Sequence, residues 1–302
     1  TVPLRLAVKT KAERGYELAG NAAPGAEKAG RLDLDGKLSC QEAFRAVAQS
    51  CLRQIIVNEP GVCAVDAQSL HQMRIGLRRL RAAIVAFEKI AADAEQDRIR
   101  DELKWITNEL GPARDLDVFE ADILQPMSKT HGDDARLAEA RRAFTTARAK
   151  AYGAAAQSVR SDRFRNVLLD VAEWIEAGPW TRDPDLRERR EEAIAEHAAE
   201  LLARGRKRIR EKGADLRALD VKRRHKLRIR AKNLRYAVEF FTTAAMAGAP
   251  LHSIVQPFAI DPALPVAAGG DAALIAADNA QLNQPRATPG SLRNHLSTFP
   301  AG

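Results

Sequence analysis

LHQMRIGLRRLR occupies residues 70–81, and a related stretch, RHKLRIRAKNLR, occupies residues 224–235. The two copies align without gaps, and the positions they share include one histidine and three cations. The aligned pairs are His71 with His225, Arg74 with Arg228, Arg78 with Lys232 and Arg81 with Arg235. A histidine and three cations repeated at one spacing indicate an internal structural repeat.

Each copy is predicted to be a helix with two distinct faces. At about 100° per residue, the histidine and the three cations of one copy form a stripe roughly 80° wide. The large apolar residues fall on a different face. They are Met73, Leu77, Leu80, Ile84 and Phe87 in the first copy, and Leu227, Leu234, Val238 and Phe241 in the second. The sequence therefore predicts two helices that each carry a core face and a separate cationic face.

The cationic stripes contain no Asp or Glu. A solvated charged face, the ordinary alternative, usually mixes both signs and pairs acids with bases at i,i+4. Holding several cations together without carboxylates costs electrostatic repulsion, which an external anion would relieve. The stripes therefore favour an anion-binding site.

Both stretches resemble the signature helices of the CHAD family, the conserved histidine α-helical domain. A third stretch, LKWITNELGPARDLDV at residues 103–118, is similar to the family's other motif, a helix that ends in L-G-x-x-R-D-x-D-V. The resemblance covers about residues 37–246. It implies an all-α fold of two related four-helix bundles with pseudo-two-fold symmetry, at residues 37–158 and 159–246. It also implies a basic central channel that binds inorganic polyphosphate.

The expected polyphosphate-binding residues are the two stripes and three further cations that the resemblance adds. They are His71, Arg74, Arg78, Arg81, Lys104, Arg114, Arg142, His225, Arg228, Lys232 and Arg235. Arginine suits this ligand because its planar fork donates to phosphate oxygens in pairs and stays charged. We expect a binding module that targets or regulates an attached or partner protein, and not an enzyme. No catalytic residue, metal or cofactor is expected.

Three other functions are open to the sequence. A metal site on His71 and His225 is disfavoured because their helical neighbours are arginines, which repel a cation. Weak nucleic-acid binding is compatible with 48 Lys+Arg against 40 Asp+Glu, although no familiar DNA- or RNA-reading motif occurs. The third is a role as the accessory domain of an inorganic triphosphatase. Residues 11–16 resemble the join that follows a CYTH domain, which would make residues 1–36 a linker or the tail of an upstream catalytic barrel.

Several local features are also predicted. The first His/Arg helix should start at Asp66 or Ser69 and run to about Ala92, and another helix should run from Asp183 to about Lys212. Asp115 and Asp117 have two interpretations, as partners of the helix dipole or as groups that orient arginines. Much of the basic cluster at residues 204–210 should be a solvated face.

The composition changes after residue 247. Residues 247–302 are rich in Ala, Pro and Gly and lack a lasting period, so we expect residues 250–302 to be poorly ordered and the second bundle to lack its closing helices. A shifted reading frame and a natural disordered tail both explain the change. Three cysteines without a C-x-x-C pair favour a reducing cytoplasm, with polyphosphate granules as the expected location. No apolar run is long enough for a transmembrane helix.

Overall fold

The structure is a computed structural model that describes residues 4–20, 25–130, 134–216 and 218–247. Over these ranges the protein is all-α, and the one β feature is an isolated antiparallel bridge between Ser39 and Ala193. The predicted fold class is therefore confirmed. The predicted disorder of residues 250–302 lies outside the described residues.

The described residues form α-helices linked by short turns. The helices are α1 (Lys11–Ala19), α2 (Cys40–Val57), α3 (Glu59–Cys63), α4 (Ala67–Ala86), α5 (Ala94–Glu109), α6 (Gly111–Phe119), α7 (Gln125–Thr130), α8 (Ala135–Arg160), α9 (Asp162–Ala177), α10 (Arg187–Glu191), α11 (Ile194–Lys212) and α12 (Val221–Ala247). A π-helical turn at Glu120–Leu124 joins α6 to α7, and 3₁₀ turns at Pro179–Thr181 and Pro184–Leu186 precede α10.

Two predicted helix boundaries are wrong, and each has a local cause. The helix α4 ends at Ala86, where a turn follows in which the Ile90 and Ala91 N–H groups both donate to the Phe87 carbonyl oxygen, and Asp93 then caps the next helix by accepting from the backbone N–H groups of Glu95 and Gln96. The helix predicted from Asp183 is interrupted before α11. The chain is extended at Ala193, where the β bridge pairs it with Ser39.

The core is continuous from α2 to α12, and the predicted apolar faces supply it. All five apolar residues on the core face of the first copy, including Phe87, are fully buried. The ring of Phe44 on α2 lies 5.2 Å from Phe87, 5.5 Å from Trp174 and 5.3 Å from Trp180, measured between centroids. Burial of each such side chain contributes about 1.5–3 kcal/mol, so this aromatic group fixes α2, α4 and α9 relative to one another.

The predicted boundary between the two bundles lies within the last turn of α8. This helix ends at Arg160, and Ser161 alone separates it from α9. The Ser161 side chain caps α9 by accepting from the Phe164 N–H. Apolar residues on both sides of the boundary belong to the same core. The division at residues 158 and 159 stays a prediction.

Candidate anion-binding site

The helix α4 holds its cationic stripe at the edge of the core. Gly76 allows α2 to approach closely, since a Cβ atom there would lie 3.0 Å from Ile55 Cγ1 and 3.2 Å from the Ile55 nitrogen. His71, Arg74 and Arg78 are half-buried. Their side chains therefore lie partly shielded from water, where charges interact more strongly than on an open surface.

His71 lies among three arginines. Burial, followed by the charges of Arg114, Arg78 and Arg74, lowers the pKa of His71 to about 4, and Asp117 acts in the opposite direction. The imidazole is therefore neutral at pH 7. Arg114 belongs to α6, so the structure brings a cation of the second predicted motif beside the first His/Arg stripe. We call His71, Arg74, Arg78 and Arg114 the His71 cluster.

Arg74 has a positioning role within the cluster. Its Nη1 donates to the carbonyl oxygen of Thr107 at 2.8 Å, in the last turn of α5, where backbone carbonyls lack helical partners. Burial, and then the charges of Arg78 and Arg114, lower the pKa of Arg74, with Asp115 opposing them. Arg74 thus ties α4 to α5 while adding positive charge to the cluster.

Carboxylates do not neutralise the His71 cluster. Among the described residues, no Asp or Glu lies within ion-pair distance of His71, Arg74, Arg78 or Arg114. The Arg78 side chain has one weak contact, from its Nε to the Arg74 carbonyl oxygen at 3.4 Å. Half-buried guanidinium groups of like charge create a positive electrostatic potential. A bound anion would stabilise this group of cations.

The nearest buried carboxylate, Asp117, already has partners. It accepts from Arg148 at 3.0 and 3.1 Å and from the Tyr152 hydroxyl at 2.7 Å. Burial, and then the bond to Asp117, raise the pKa of Tyr152. Of the two interpretations of Asp117, the structure supports the one in which it orients an arginine. Arg148, whose guanidinium also lies over the Tyr152 ring, is a structural arginine.

Arg79, in the signature stretch itself, is a structural residue that we did not predict. Its side chain is buried, and its Nη1 donates to Gln54 Oε1 at 2.8 Å. Its Nε lies 3.0 Å from a carboxylate oxygen of Glu239, and its guanidinium lies 5.4 Å from the centre of the Phe240 ring. Arg79 therefore links α4 to both α2 and α12.

The second stripe lies on α12, with His225 and Arg235 exposed and with Arg228 and Lys232 half-buried. Arg235 is less available for anion binding than the sequence predicted. It lies over the Tyr236 ring at 4.4 Å and 3.8 Å from Glu239, one turn beyond the predicted stripe. The helices α4 and α12 contact each other through Arg79 and Glu239. Convergence of the two cationic stripes stays a prediction.

The remaining predicted cations are exposed. Arg81 lies on α4, Lys104 on α5 and Arg142 on α8. In the part of the chain that the structure describes, none of the three forms a hydrogen bond or ion pair with the His71 cluster. They are placed to extend a charged surface and do not form part of its half-buried centre.

The basic cluster on α11 is only partly the solvated face that we expected. Lys207, Arg208 and Arg210 are exposed, but Arg204 and Arg206 are half-buried. Arg204 also pairs with Glu200 at 2.9 Å. Half of the arginines in this cluster therefore pack against the protein instead of serving only as surface charges.

These features define an all-α protein with a group of like charges where two helices meet. The chain belongs to the CHAD domain family, whose model matches residues 46–259. This match begins and ends somewhat later than the expected 37–246. The described residues contain no helix long and apolar enough to cross a membrane.

Two solved structures have a similar fold. The crystal structure of the CHAD domain from the plant Ricinus communis is 28% identical, with a TM-score of 0.62 over 78% of each chain. PptA from Streptomyces chartreusis is 17% identical, with a TM-score of 0.51 over 81% of this chain and 94% of that chain, and at this identity it shows the fold alone. Comparison with curated proteins gave no match.

Proposed function

We propose that this protein binds inorganic polyphosphate at the His71 cluster and does not hydrolyse it. One observation carries the proposal. Four half-buried side chains from α4 and α6 bring positive charge and hydrogen-bond donors together, and no carboxylate among the described residues pairs with them. Membership of the CHAD family and the resemblance of the motifs support the choice of this ligand.

Polyphosphate matches the chemistry of the cluster. It carries about one negative charge per phosphate and has neither base edges nor aromatic rings, so recognition requires cations and donors. Aromatic residues are only 5% of the chain, which disfavours a stacking surface for unpaired bases. Arg78 and Arg114 would bind phosphate oxygens, neutral His71 would donate from a ring nitrogen, and Arg74 would add charge while bound to Thr107.

A long polyphosphate chain extends beyond a binding site of four residues. The exposed Arg81, Lys104 and Arg142 would continue the positive surface on α4, α5 and α8, and the stripe of His225, Arg228, Lys232 and Arg235 would supply a second site. Binding of this kind would bring an attached or partner protein to polyphosphate granules in the cytoplasm.

The direct test compares two double variants that remove the same charge. Arg78→Gln with Arg114→Gln removes two arginines of the cluster, and Arg182→Gln with Arg189→Gln removes two exposed arginines elsewhere. Loss of two charge-assisted contacts should weaken binding of long-chain polyphosphate by roughly 10²-fold or more. The affinity of the control variant should fall by less than about threefold, because salt screens the interaction of exposed, distant charges with the ligand. Calorimetric titration measures both, and equal losses would refute a localised site.

Two further measurements separate the alternatives. Affinity should fall steeply with salt, by roughly 10³ to 10⁵ between 50 and 200 mM for 6–10 phosphate contacts if nucleic-acid behaviour carries over. Tighter binding of duplex DNA than of polyphosphate at matched charge and salt would favour nucleic-acid binding. Release of phosphate from the bound polymer would show that the protein is an enzyme.

A further inference from the structure

A thiol, a carboxylate and an imidazole meet on the α2 side of α11, outside the His71 cluster. One potential ligand atom each from Cys40, Glu192 and His197 lies within 4.8 Å of the other two. Cys40 and His197 are buried, and Glu192 is half-buried. Cys40 lies far in the sequence from Glu192 and His197, and the three residues show no familiar zinc spacing, so the sequence alone did not predict their proximity.

The backbone holds the three residues in place. The Cys40 N–H donates to the Glu192 carbonyl oxygen at 2.9 Å, and the Ile194 N–H donates to the Leu38 carbonyl oxygen at 2.8 Å. This pairing fixes the start of α2 against the start of α11. The positions of Cys40 and Glu192 are therefore set by the fold and not by loose side-chain contacts.

The imidazole of His197 is oriented as metal-binding histidines usually are. Its Nε2 lies 3.1 Å from the Ala86 carbonyl oxygen, and its ring stacks on Phe87 with 5.6 Å between centroids. A carbonyl oxygen only accepts hydrogen bonds, so Nε2 carries the proton and Nδ1 keeps its lone pair. A backbone carbonyl that fixes the tautomer in this way is a common outer partner of a metal ligand.

The Glu192 carboxylate has no basic partner. Among the described residues, no Lys or Arg lies within ion-pair distance of it, whereas its charge acts on both Cys40 and His197. A carboxylate directed at a thiol and a neutral imidazole leaves negative charge uncompensated in a partly buried place. A bound cation would compensate it.

We propose that Cys40, Glu192 and His197 bind a divalent transition metal of the zinc class. The ligands are Cys40 Sγ, His197 Nδ1 and a Glu192 oxygen, with a fourth position open to water. The thiol and imidazole select zinc-like ions over magnesium and calcium, which prefer oxygen ligands. Binding converts the Cys40 thiol to a metal-bound thiolate and releases its proton to solvent.

The geometry requires only a small adjustment. Ligand bonds of about 2.0–2.3 Å place two ligands of a tetrahedral zinc ion roughly 3.5 Å apart, so the three atoms must draw together slightly from their present separations. Glu192, which is only half-buried, can make this movement. The N-terminal dipoles of α2 and α11 oppose a cation, and the thiolate and carboxylate charges offset them.

Cobalt titration of the metal-free full chain tests the proposal. Co²⁺ should bind at one equivalent and give the near-ultraviolet charge-transfer band of a cobalt–thiolate bond together with the visible bands of a tetrahedral ion. Zn²⁺ should displace it and raise the melting temperature, because the metal links α2 to α11 in the folded state alone. Absence of the thiolate band at millimolar Co²⁺ would overturn the proposal.

Matched variants assign the ligands. Cys40→Ala should abolish the thiolate band, whereas Cys51→Ala and Cys63→Ala should keep it, since the other two cysteines lie outside the cluster. Glu192→Gln keeps size and packing and should weaken Co²⁺ binding at least tenfold without loss of helical content. A band that persists in Cys40→Ala, or unchanged affinity in Glu192→Gln, would contradict the assignment.

Discussion

The low pKa of His71 leads to a pH dependence that can be measured. Burial and three arginines lower this pKa from 6.5 to about 4, so folded His71 is neutral where an unfolded histidine takes up a proton. The unfolded chain therefore binds more protons between about pH 6.5 and 4, and stability falls as the pH falls through that window. A phosphate bound beside the ring has the opposite effect and favours the imidazolium.

The size of the effect follows from the two pKa values. Each unit of pKa corresponds to a tenfold change in an equilibrium constant. A bound phosphate that restores the ordinary value of 6.5 makes polyphosphate binding about 30-fold tighter at pH 5 than at pH 8. The interior phosphates of a long chain keep one charge each across this range, so the ligand itself contributes little to the change.

The assay is a calorimetric titration of wild type and His71→Gln with long-chain polyphosphate from pH 5 to pH 8. Glutamine keeps a side-chain donor but cannot take up a proton, so the variant should lose most of the pH dependence while retaining binding. Nuclear magnetic resonance of the His71 ring should show a midpoint near 4 without ligand and a higher one with it. The same pH dependence in both proteins, or a midpoint near 6.5 in the free wild type, would contradict this role of His71.

Three further predictions concern stability, each measured as the free energy of unfolding in urea. Val65 has a φ of 65°, a conformation that costs a β-branched residue about 1–2 kcal/mol. Val65→Gly should therefore stabilise the protein by about 0.5–1 kcal/mol. The control Ala64→Gly, at an ordinary negative φ, should destabilise it. Asp117→Asn removes the buried carboxylate that pairs with Arg148 and accepts from the Tyr152 hydroxyl, and it should cost about 2 kcal/mol while leaving polyphosphate affinity within about threefold of wild type. Gly61→Ala would place a Cβ 1.9 Å from Ser69 Oγ and should cost about 1–3 kcal/mol, and no loss would show that the turn before α4 is adaptable.

Local physical chemistry made much of the fold predictable. The helix period separated the buried face of α4, including Met73 and Leu77, from the cationic stripe that begins at His71. Capping chemistry placed the start of α4, where Asp66, one of the two predicted starts, accepts from the backbone N–H groups of Gln68 and Ser69. These predictions succeeded because each depends on residues within one or two helical turns.

The features that sequence reasoning missed depend on contacts between distant segments. Arg79 could not be distinguished from its charged neighbours, because its burial depends on Gln54 and Glu239 on two other helices. The structural role of Arg148 could not be predicted either, because its partner Asp117 lies on another helix. The proximity of Cys40 and His197 likewise results from the pairing of the starts of α2 and α11.

A crystal structure of the protein with a short polyphosphate would show whether the ligand binds at the His71 cluster. We predict phosphate oxygens within hydrogen-bond distance of the Arg78 and Arg114 guanidinium groups, with a third contact from the His71 ring. Phosphates bound only elsewhere, such as against the exposed Arg208 and Arg230 in the groove between α11 and α12, with the His71 cluster occupied by water alone, would contradict it.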